Sequence, residues 1–169
     1  MTDTPDLPDS LFLVDAEEAA GATLSFSRAT TVLLTFAANR FTRSAARLYQ
    51  QEFGIGAMDW RMLVMLTRVP GCSVATASRT MGIDKAAVSR SLARLEQTGL
   101  AAATCNSPDE RRKDWSLTGA GQALHGRILA VALQRQKELL AGFTEEEVTA
   151  FNGYLTRLLE NLEELNSQG

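Results

Sequence analysis

Residues 73–99 have the sequence SVATASRTMGIDKAAVSRSLARLEQTG. Ser73 is a favourable N-cap for a first short helix, because its hydroxyl can accept hydrogen bonds from free backbone N–H groups. Gly82 suits the end of that helix, where a left-handed backbone is needed, and Asp84 can cap a second helix that ends at Gly99. Two helices joined by a tight glycine turn form a helix-turn-helix unit.

The second helix of this unit, over residues 85–98, carries one apolar stripe. Val88, Leu92 and Leu95 follow one another at the i, i+4, i+7 spacing of a buried helical face. In helix-turn-helix proteins the second helix enters the major groove of DNA, with its N-terminal part leading. The candidate DNA contacts are therefore the residues at the start and on the opposite face of this helix: Lys85, Ala86, Ser89, Arg90 and Arg94.

A β-hairpin is predicted directly after this helix. Residues 100–105 and 113–117 favour extended structure, and turn-forming residues lie between them. The sequence DERRK at 109–113 would place three cations near the turn, where they can reach phosphates or a narrow minor groove. By itself such a run is more often a solvated turn, but its place after a helix-turn-helix favours a DNA-binding wing. The candidate contacts of the wing are Asp109, Arg111, Arg112 and Lys113.

Further helices flank this unit. We expect a long helix over residues 27–51, a short one over residues 58–68 and two long ones after residue 118. One side of the short helix contains Trp60, Leu63, Val64 and Thr67. A capping box of Thr144 and Glu147 opens the last helix. Its apolar residues repeat at alternating spacings of three and four, the pattern of a seam that needs a partner helix: Val148, Phe151, Leu155, Leu158, Leu162 and Leu165.

The predicted fold class is mainly α with a small β-hairpin wing: a winged helix-turn-helix joined to a helical dimerisation region. Its segments are a flexible or short-helical N-terminal arm (1–25), a dimerisation helix (26–56), a winged helix-turn-helix DNA-binding domain (57–121) and C-terminal dimerisation helices (122–169). The charge follows this division, since residues 57–121 carry a net charge of +3 and the rest of the chain carries −6. A basic middle between acidic ends indicates a unit that binds a polyanion.

The bulk composition of the 169 residues, 45% hydrophobic and 22% charged, is that of a globular protein. No apolar run is long enough to span a membrane, and the acidic N-terminus lacks the cations of a secretory signal. We therefore expect a cytoplasmic location and no membrane partner. One histidine, two cysteines and no glycine-rich phosphate loop argue against an enzyme, a transition-metal site and a cofactor.

From about residue 56 to residue 121 the chain contains an ordered set of motif residues: Trp60, Leu63, Met81-Gly82-Ile83-Asp84-Lys85, Val88-Ser89-Arg90, Leu92, Leu95-Glu96, Gly99-Leu100, Asp109, Arg111, Leu117-Thr118 and Gly121. With this set the chain resembles the multiple-antibiotic-resistance regulator (MarR) family. The resemblance implies a homodimer of intertwined terminal helices. It also implies that Arg90 contacts DNA from the recognition helix, while Arg111 lies in the minor groove, braced by Asp109. Family members usually repress promoters, and many release DNA on binding a small aromatic acid or phenol.

One departure concerns the start of the recognition helix, where Ala86 and Ala87 stand in place of the Ser or Thr common in the family. Ala86 could still contact a thymine methyl group. A homodimer that carries two recognition helices implies a palindromic operator of double-stranded DNA, with half-sites roughly 34–36 Å apart.

A small-molecule effector is the first expectation for regulation. We expect its pocket where the dimerisation helices meet the DNA-binding lobe, and an arginine of the first helix could bind a carboxylate bidentately. The candidate pocket residues are Arg40, Arg43, Tyr49, Trp60, Met65 and His125. Two alternatives stay open. One is a redox-responsive regulator that senses through Cys105, beside the basic wing, or Cys72. The other is a protein-interaction module that has the same fold and does not bind DNA.

Overall fold

The computed structural model describes residues 6–14, 20–104 and 113–167. Within them the chain forms six α-helices and three short β-strands. In chain order they are α1 (Thr30–Phe53), α2 (Ala57–Arg68), β1 (Cys72–Ser73), α3 (Val74–Met81), α4 (Lys85–Gln97), β2 (Ala101–Thr104), β3 (Asp114–Leu117), α5 (Gly119–Leu139) and α6 (Glu145–Ser167). This order confirms the predicted fold class, a winged helix-turn-helix with additional long helices.

The caps of the helix-turn-helix are those that the sequence predicted. The Ser73 hydroxyl accepts from the backbone N–H of Thr76 at 3.1 Å, at the start of α3. Gly82 ends α3 with a φ of 62°, in the left-handed region that favours glycine. Asp84 Oδ1 accepts from the backbone N–H groups of Ala86 and Ala87, each at 3.0 Å. These caps fix where α4 begins, and so which residues lead it.

A compact apolar core lies beneath α4. The predicted stripe is confirmed, since Val88, Leu92 and Leu95 are at most 1% exposed. The predicted side of α2 is not uniformly buried: Leu63 is buried, but Val64 is 39% exposed. The helix is rotated so that the residues on either side of Val64 point inward, because these longer side chains fill the space next to α4. The buried apolar residues of α2 are Met62, Leu63, Met65 and Leu66.

The wing contains one more strand than the sequence predicted. The antiparallel sheet has the order β1-β3-β2, and Trp115 at its centre pairs with Cys72 on one side and Ala103 on the other. Periodicity cannot reveal β1, because a strand of two residues shows no alternation. The tip of the predicted hairpin, residues 105–112, lies outside the described residues.

The wing joins α5 through a close backbone contact. The Thr118 hydroxyl donates to the carbonyl of Gly99 at 2.6 Å and accepts from the N–H of Gly121 at 3.1 Å. A Cβ atom on Gly121 would lie 2.0 Å from the carbonyl oxygen of Leu100. Only glycine allows this approach, which ties the end of the recognition helix to the start of α5.

The N-terminal segment is more ordered than the predicted arm in the part that the structure describes. After a 3-10 helix over Asp9–Leu11, Leu13 and Leu24 form an antiparallel bridge. The guanidinium of Arg28 donates to the carbonyl of Leu13. The first long helix begins at Thr30, later than predicted, because Leu24 pairs with Leu13 and residues 26–28 form a turn.

By contact density the chain divides into two compact units, Met1–Gln122 and Ala123–Gly169. The second unit contains α6, whose predicted capping box is confirmed: Thr144 N donates to Glu147 Oε2 at 2.8 Å, and Glu147 N donates to Thr144 Oγ1 at 3.2 Å. No residue of α6 is buried in the single chain. Across the described part of the chain, no helix is long and apolar enough to cross a membrane.

Candidate nucleic-acid interface

The start and outer face of α4 present polar and cationic side chains to solvent. Lys85, Ala86, Ser89 and Arg90 are all exposed. Because the apolar stripe points inward, the exposed residues line the opposite side of a rigid, capped helix. A helix of this kind can enter the major groove and bring the arginine and serine to base edges.

A groove of about 770 Å³ lies between α3, α4 and the base of the wing. Three cations line it, Arg79, Lys85 and Lys113, against one acid, Glu96. The groove is therefore electropositive, as a surface that follows a phosphate backbone must be. The residues that line it are Ser73, Val74, Ala75, Thr76, Arg79, Lys85, Ser89, Ala93, Glu96, Lys113 and Trp115.

Lys113 is held at the base of the wing by an aromatic ring. Its Nζ lies 5.7 Å from the ring centroid of Trp115, within the range of a cation–π contact. Trp115 itself is buried, so the lysine is placed by the sheet and remains exposed. The other three predicted wing residues, Asp109, Arg111 and Arg112, lie outside the described residues.

Arg94 differs from the other predicted contacts on α4. Its Nη2 lies 2.7 Å from Asp59 Oδ1 of α2, and its side chain is 51% exposed. The guanidinium of Arg94 is therefore already paired with an acid of a neighbouring helix. Asp59 was missed by sequence reasoning, because an acid in the first turn of a helix is ordinarily explained by the helix dipole. No periodicity links it to a residue 35 positions away.

A second groove, of about 580 Å³, lies between α2 and α3. It brings together two of the predicted pocket residues, Trp60 and Met65, and the ring of Tyr49 lies 5.8 Å from that of Trp60. Arg40 and Arg43 are exposed on α1 and do not line this groove, and His125 belongs to the other compact unit. Arg61 and Arg68, which were not predicted as pocket residues, do line it. The residues that line the groove are Trp60, Arg61, Val64, Met65, Arg68, Thr80, Met81 and Ile83.

Cys72 and the potential metal ligands of the described ranges give little chemistry. Cys72 is 2% exposed, and burial raises the pKa of its thiol above the ordinary value. A buried thiol of this kind is a weak nucleophile. Cys105 lies outside the described residues. In the described ranges, no three His, Cys, Asp or Glu side chains cluster in a way that could hold a metal ion.

A capped recognition helix, a three-stranded wing and an electropositive groove between them define a winged helix-turn-helix protein. Residues 53–113 match the sequence model of the MarR family. A MarR/EmrR family transcriptional regulator from Acinetobacter sp. ADP1 is 32% identical, with a TM-score of 0.77 over 83% of this chain and 99% of that one. The chain therefore belongs to the MarR/EmrR family of transcriptional regulators and is not an enzyme.

Two more distant structures share the fold. MepR of S. aureus, solved as a DNA complex, is 21% identical with a TM-score of 0.69, covering 82% of this chain and 99% of its own. PcaV of Streptomyces coelicolor, solved with its natural ligand, is 20% identical with a TM-score of 0.68, covering 83% of this chain and 98% of its own. At these identities the likeness concerns the fold.

Proposed function

We propose that this regulator is a homodimeric repressor that reads a palindromic operator with α4. The observation that carries the proposal is the exposed face of α4 beside the electropositive groove. Arg90 can bind O6 and N7 of guanine together, Ser89 can donate or accept, and Ala86 can contact a thymine methyl. Lys85 and Arg79 are suited to phosphates, which set the register without reading sequence.

The wing would add contacts on the neighbouring minor groove. Lys113 supports this part of the proposal, because its cation–π contact holds it at the base of the wing, beside the groove. The proposal also includes Arg111 as a minor-groove contact braced by Asp109, and Arg112 as a phosphate or minor-groove contact. A narrow minor groove attracts such side chains through its negative potential.

Dimerisation is supported by the uncovered apolar residues of α6. Phe151 is 44% exposed, Leu162 44% and Leu165 66%, and all three belong to the predicted seam. Exposed apolar residues along one side of a helix favour a protein partner, and a second copy of the same chain provides the matching seam. A two-fold dimer would present two recognition helices to two half-sites.

Fluorescence anisotropy tests DNA binding. We expect the protein to prefer the DNA upstream of its own gene over unrelated DNA of equal length, with affinity that falls steeply as salt rises. Arg90→Ala should weaken specific binding by about 10- to 100-fold. Arg47→Ala, which removes an exposed arginine of α1, serves as the matched control and should leave binding unchanged. Absence of binding to either DNA at low salt would reject the proposal and favour a protein-interaction module.

We further propose that a small aromatic acid or phenol releases the DNA by binding the groove between α2 and α3. Trp60, Met65 and Met81 provide an apolar floor, while Arg61 and Arg68 can pair with a carboxylate. In a Trp115→Phe background, Trp60 is the one remaining tryptophan of the two in the chain. Its fluorescence should change on titration with 4-hydroxybenzoate, and Arg61→Gln with Arg68→Gln should abolish that change. A signal that persists in this double variant would place the ligand elsewhere.

A further inference from the structure

Asp59 is a buried acid that faces the recognition helix. It lies in the first turn of α2, and its side chain is only 10% exposed. Its Oδ1 accepts from the hydroxyl of Ser91 at 2.5 Å and from Arg94 Nη2 at 2.7 Å. Its Oδ2 accepts more weakly from Arg94 Nε and from the backbone N–H of Gly56, each at 3.4 Å. One carboxylate thus connects the start of α2 to two side chains of α4.

These hydrogen bonds restrict the orientation of α4 more tightly than the packing of its apolar stripe does. Ser91 is completely buried and lies on the same inward side of α4 as Val88 and Leu92. Apolar packing resists separation of two helices but tolerates small rotations and shifts, whereas hydrogen bonds to a buried carboxylate require a particular geometry. The carboxylate also needs these donors, because a buried charge without partners is strongly unfavourable. Asp59 therefore restricts how far α4 can turn about its own axis.

The same contacts change the role of Arg94. Nε and one N–H of Nη2 point to Asp59, so turning the guanidinium of Arg94 towards DNA would require this pair to break. Arg90, one turn earlier on α4, is exposed and has no such acid partner among the described residues. The two arginines of the helix are thus held differently, although their sequence positions look equivalent.

We propose that Asp59 orients the recognition helix through Ser91 and Arg94, so that Arg94 is a positioning residue and does not read or hold DNA. The inference rests on the proposed DNA-binding function. It predicts that Asp59, although buried in α2, affects operator recognition, because a change in the roll of α4 displaces Arg90 and Ser89 from their bases. Contacts to phosphate should suffer less, since long cationic side chains can adjust.

A double-mutant cycle tests the proposal with the full-length protein. Asp59→Asn keeps the shape of the side chain and removes its charge, and Arg94→Gln removes the other partner. Each should lower operator affinity about tenfold, and the double variant should be no weaker than the weaker single variant. The matched control is Lys85→Gln at the start of the same helix, whose loss should multiply with that of Asp59→Asn, because its proposed phosphate contact does not depend on the roll of α4.

The salt dependence of binding to unrelated DNA separates positioning from phosphate contact. Arg94→Gln should leave the log–log slope unchanged, whereas loss of a phosphate contact would reduce it by about 0.9. Multiplying losses for Asp59→Asn and Arg94→Gln, or a reduced slope for Arg94→Gln, would overturn the proposal. Unchanged operator affinity in Asp59→Asn while the wild type binds normally would also overturn it, and would leave the proposed function intact.

Hydrogen exchange gives a measurement that does not depend on DNA. Asp59→Asn and Arg94→Gln should both speed amide exchange in α4 more than in α3, and Arg90→Gln should not. If the wild type showed no operator preference, the proposed function would fail, and this measurement would still decide whether Asp59 holds α4. Exchange in α4 that matches the wild type in both variants would mean that the pair has no positioning role.

Discussion

The recognition helix α4 and the C-terminal helix α6 are both amphipathic, but their apolar faces are covered to different extents in the single chain. On α4 the apolar stripe is at most 1% exposed, because α2, α3 and the wing cover it. On α6 no residue is buried, and Tyr154 and Leu165 are 62% and 66% exposed. The apolar pattern of α4 is thus covered within the chain, whereas that of α6 is covered only in part: Leu155 and Leu158 are half-buried, and Leu162 and Leu165 are exposed. This exposed part of α6 is the face that we propose a second copy of the chain covers.

The largest effect on stability is expected at Gly121, where the start of α5 lies against the backbone of Leu100. An alanine there would place its Cβ 2.0 Å from the carbonyl oxygen of Leu100, so the wing or the start of α5 must shift. We expect the free energy of unfolding to fall by about 4 kcal/mol, measured by urea denaturation. Gly119→Ala, two residues earlier and with open space around its Cβ, is the control and should have almost no effect. A small loss in Gly121→Ala would show that this junction is loose.

Leucine-to-alanine substitutions compare the two helices directly. Leu92→Ala removes a fully buried side chain from α4 and should lower the free energy of unfolding by about 3 kcal/mol. Leu159→Ala on α6 removes a side chain that is 62% exposed and lies outside the predicted seam, and should cost less than about 1 kcal/mol. Equal losses in the two variants would mean that α6 has a covered face that includes Leu159.

A charge in the predicted seam tests whether a second chain covers α6. Leu162→Glu should weaken the dimer about 100-fold, or about 2.7 kcal/mol, because two carboxylates would be buried at the interface. Asn161→Glu adds the same charge one residue away and serves as the control. Sedimentation measurements over a range of protein concentrations distinguish the two. A Leu162→Glu protein that stays dimeric would place the interface elsewhere.

Removal of the N-cap of the recognition helix should lower the free energy of unfolding by a smaller amount. Asp84→Ala removes the acceptor of two backbone hydrogen bonds at the start of α4 and should cost about 1 kcal/mol in urea denaturation. Asp84→Asn retains an acceptor and should recover most of the loss. If both variants were equally destabilised, the charge of Asp84 would matter more than its hydrogen bonds.

The smallest effect is expected for chemical modification of Cys72, which tests how well the fold shields this thiol from reagents in solution. In a Cys105→Ser variant it is the single thiol, and it should react with iodoacetamide at pH 8 at least about tenfold more slowly than a free cysteine. The raised pKa of the thiol lowers its thiolate fraction, and burial blocks access. Urea should restore the ordinary rate. Rapid reaction in the native protein would revive the redox alternative for Cys72.

The local elements were predictable because their signals are local. Ser73, Gly82 and Asp84 fix the ends of α3 and α4, and Thr144 with Glu147 fixes the start of α6, since a cap depends on residues within one turn of each other. The stripe of α4 followed from the helical period alone. The strand β1 was missed because it is defined by pairing with β3, where Cys72 meets Trp115 43 residues later, and not by its own two residues.

The amino-acid sequence by itself determined the order of the elements, their caps and the basic segment that we propose faces DNA, because composition, spacing and turn chemistry act over a few residues. Only the tertiary structure decided which of two similar arginines on α4 is held by an acid. Arg90 is exposed, while Arg94 is held by Asp59 from another helix. Likewise, only the fold rotated α2 to bury Met62 and Met65 and expose Val64. Such outcomes depend on which side chains meet across distant segments, and the period of a single helix carries no information about its neighbour.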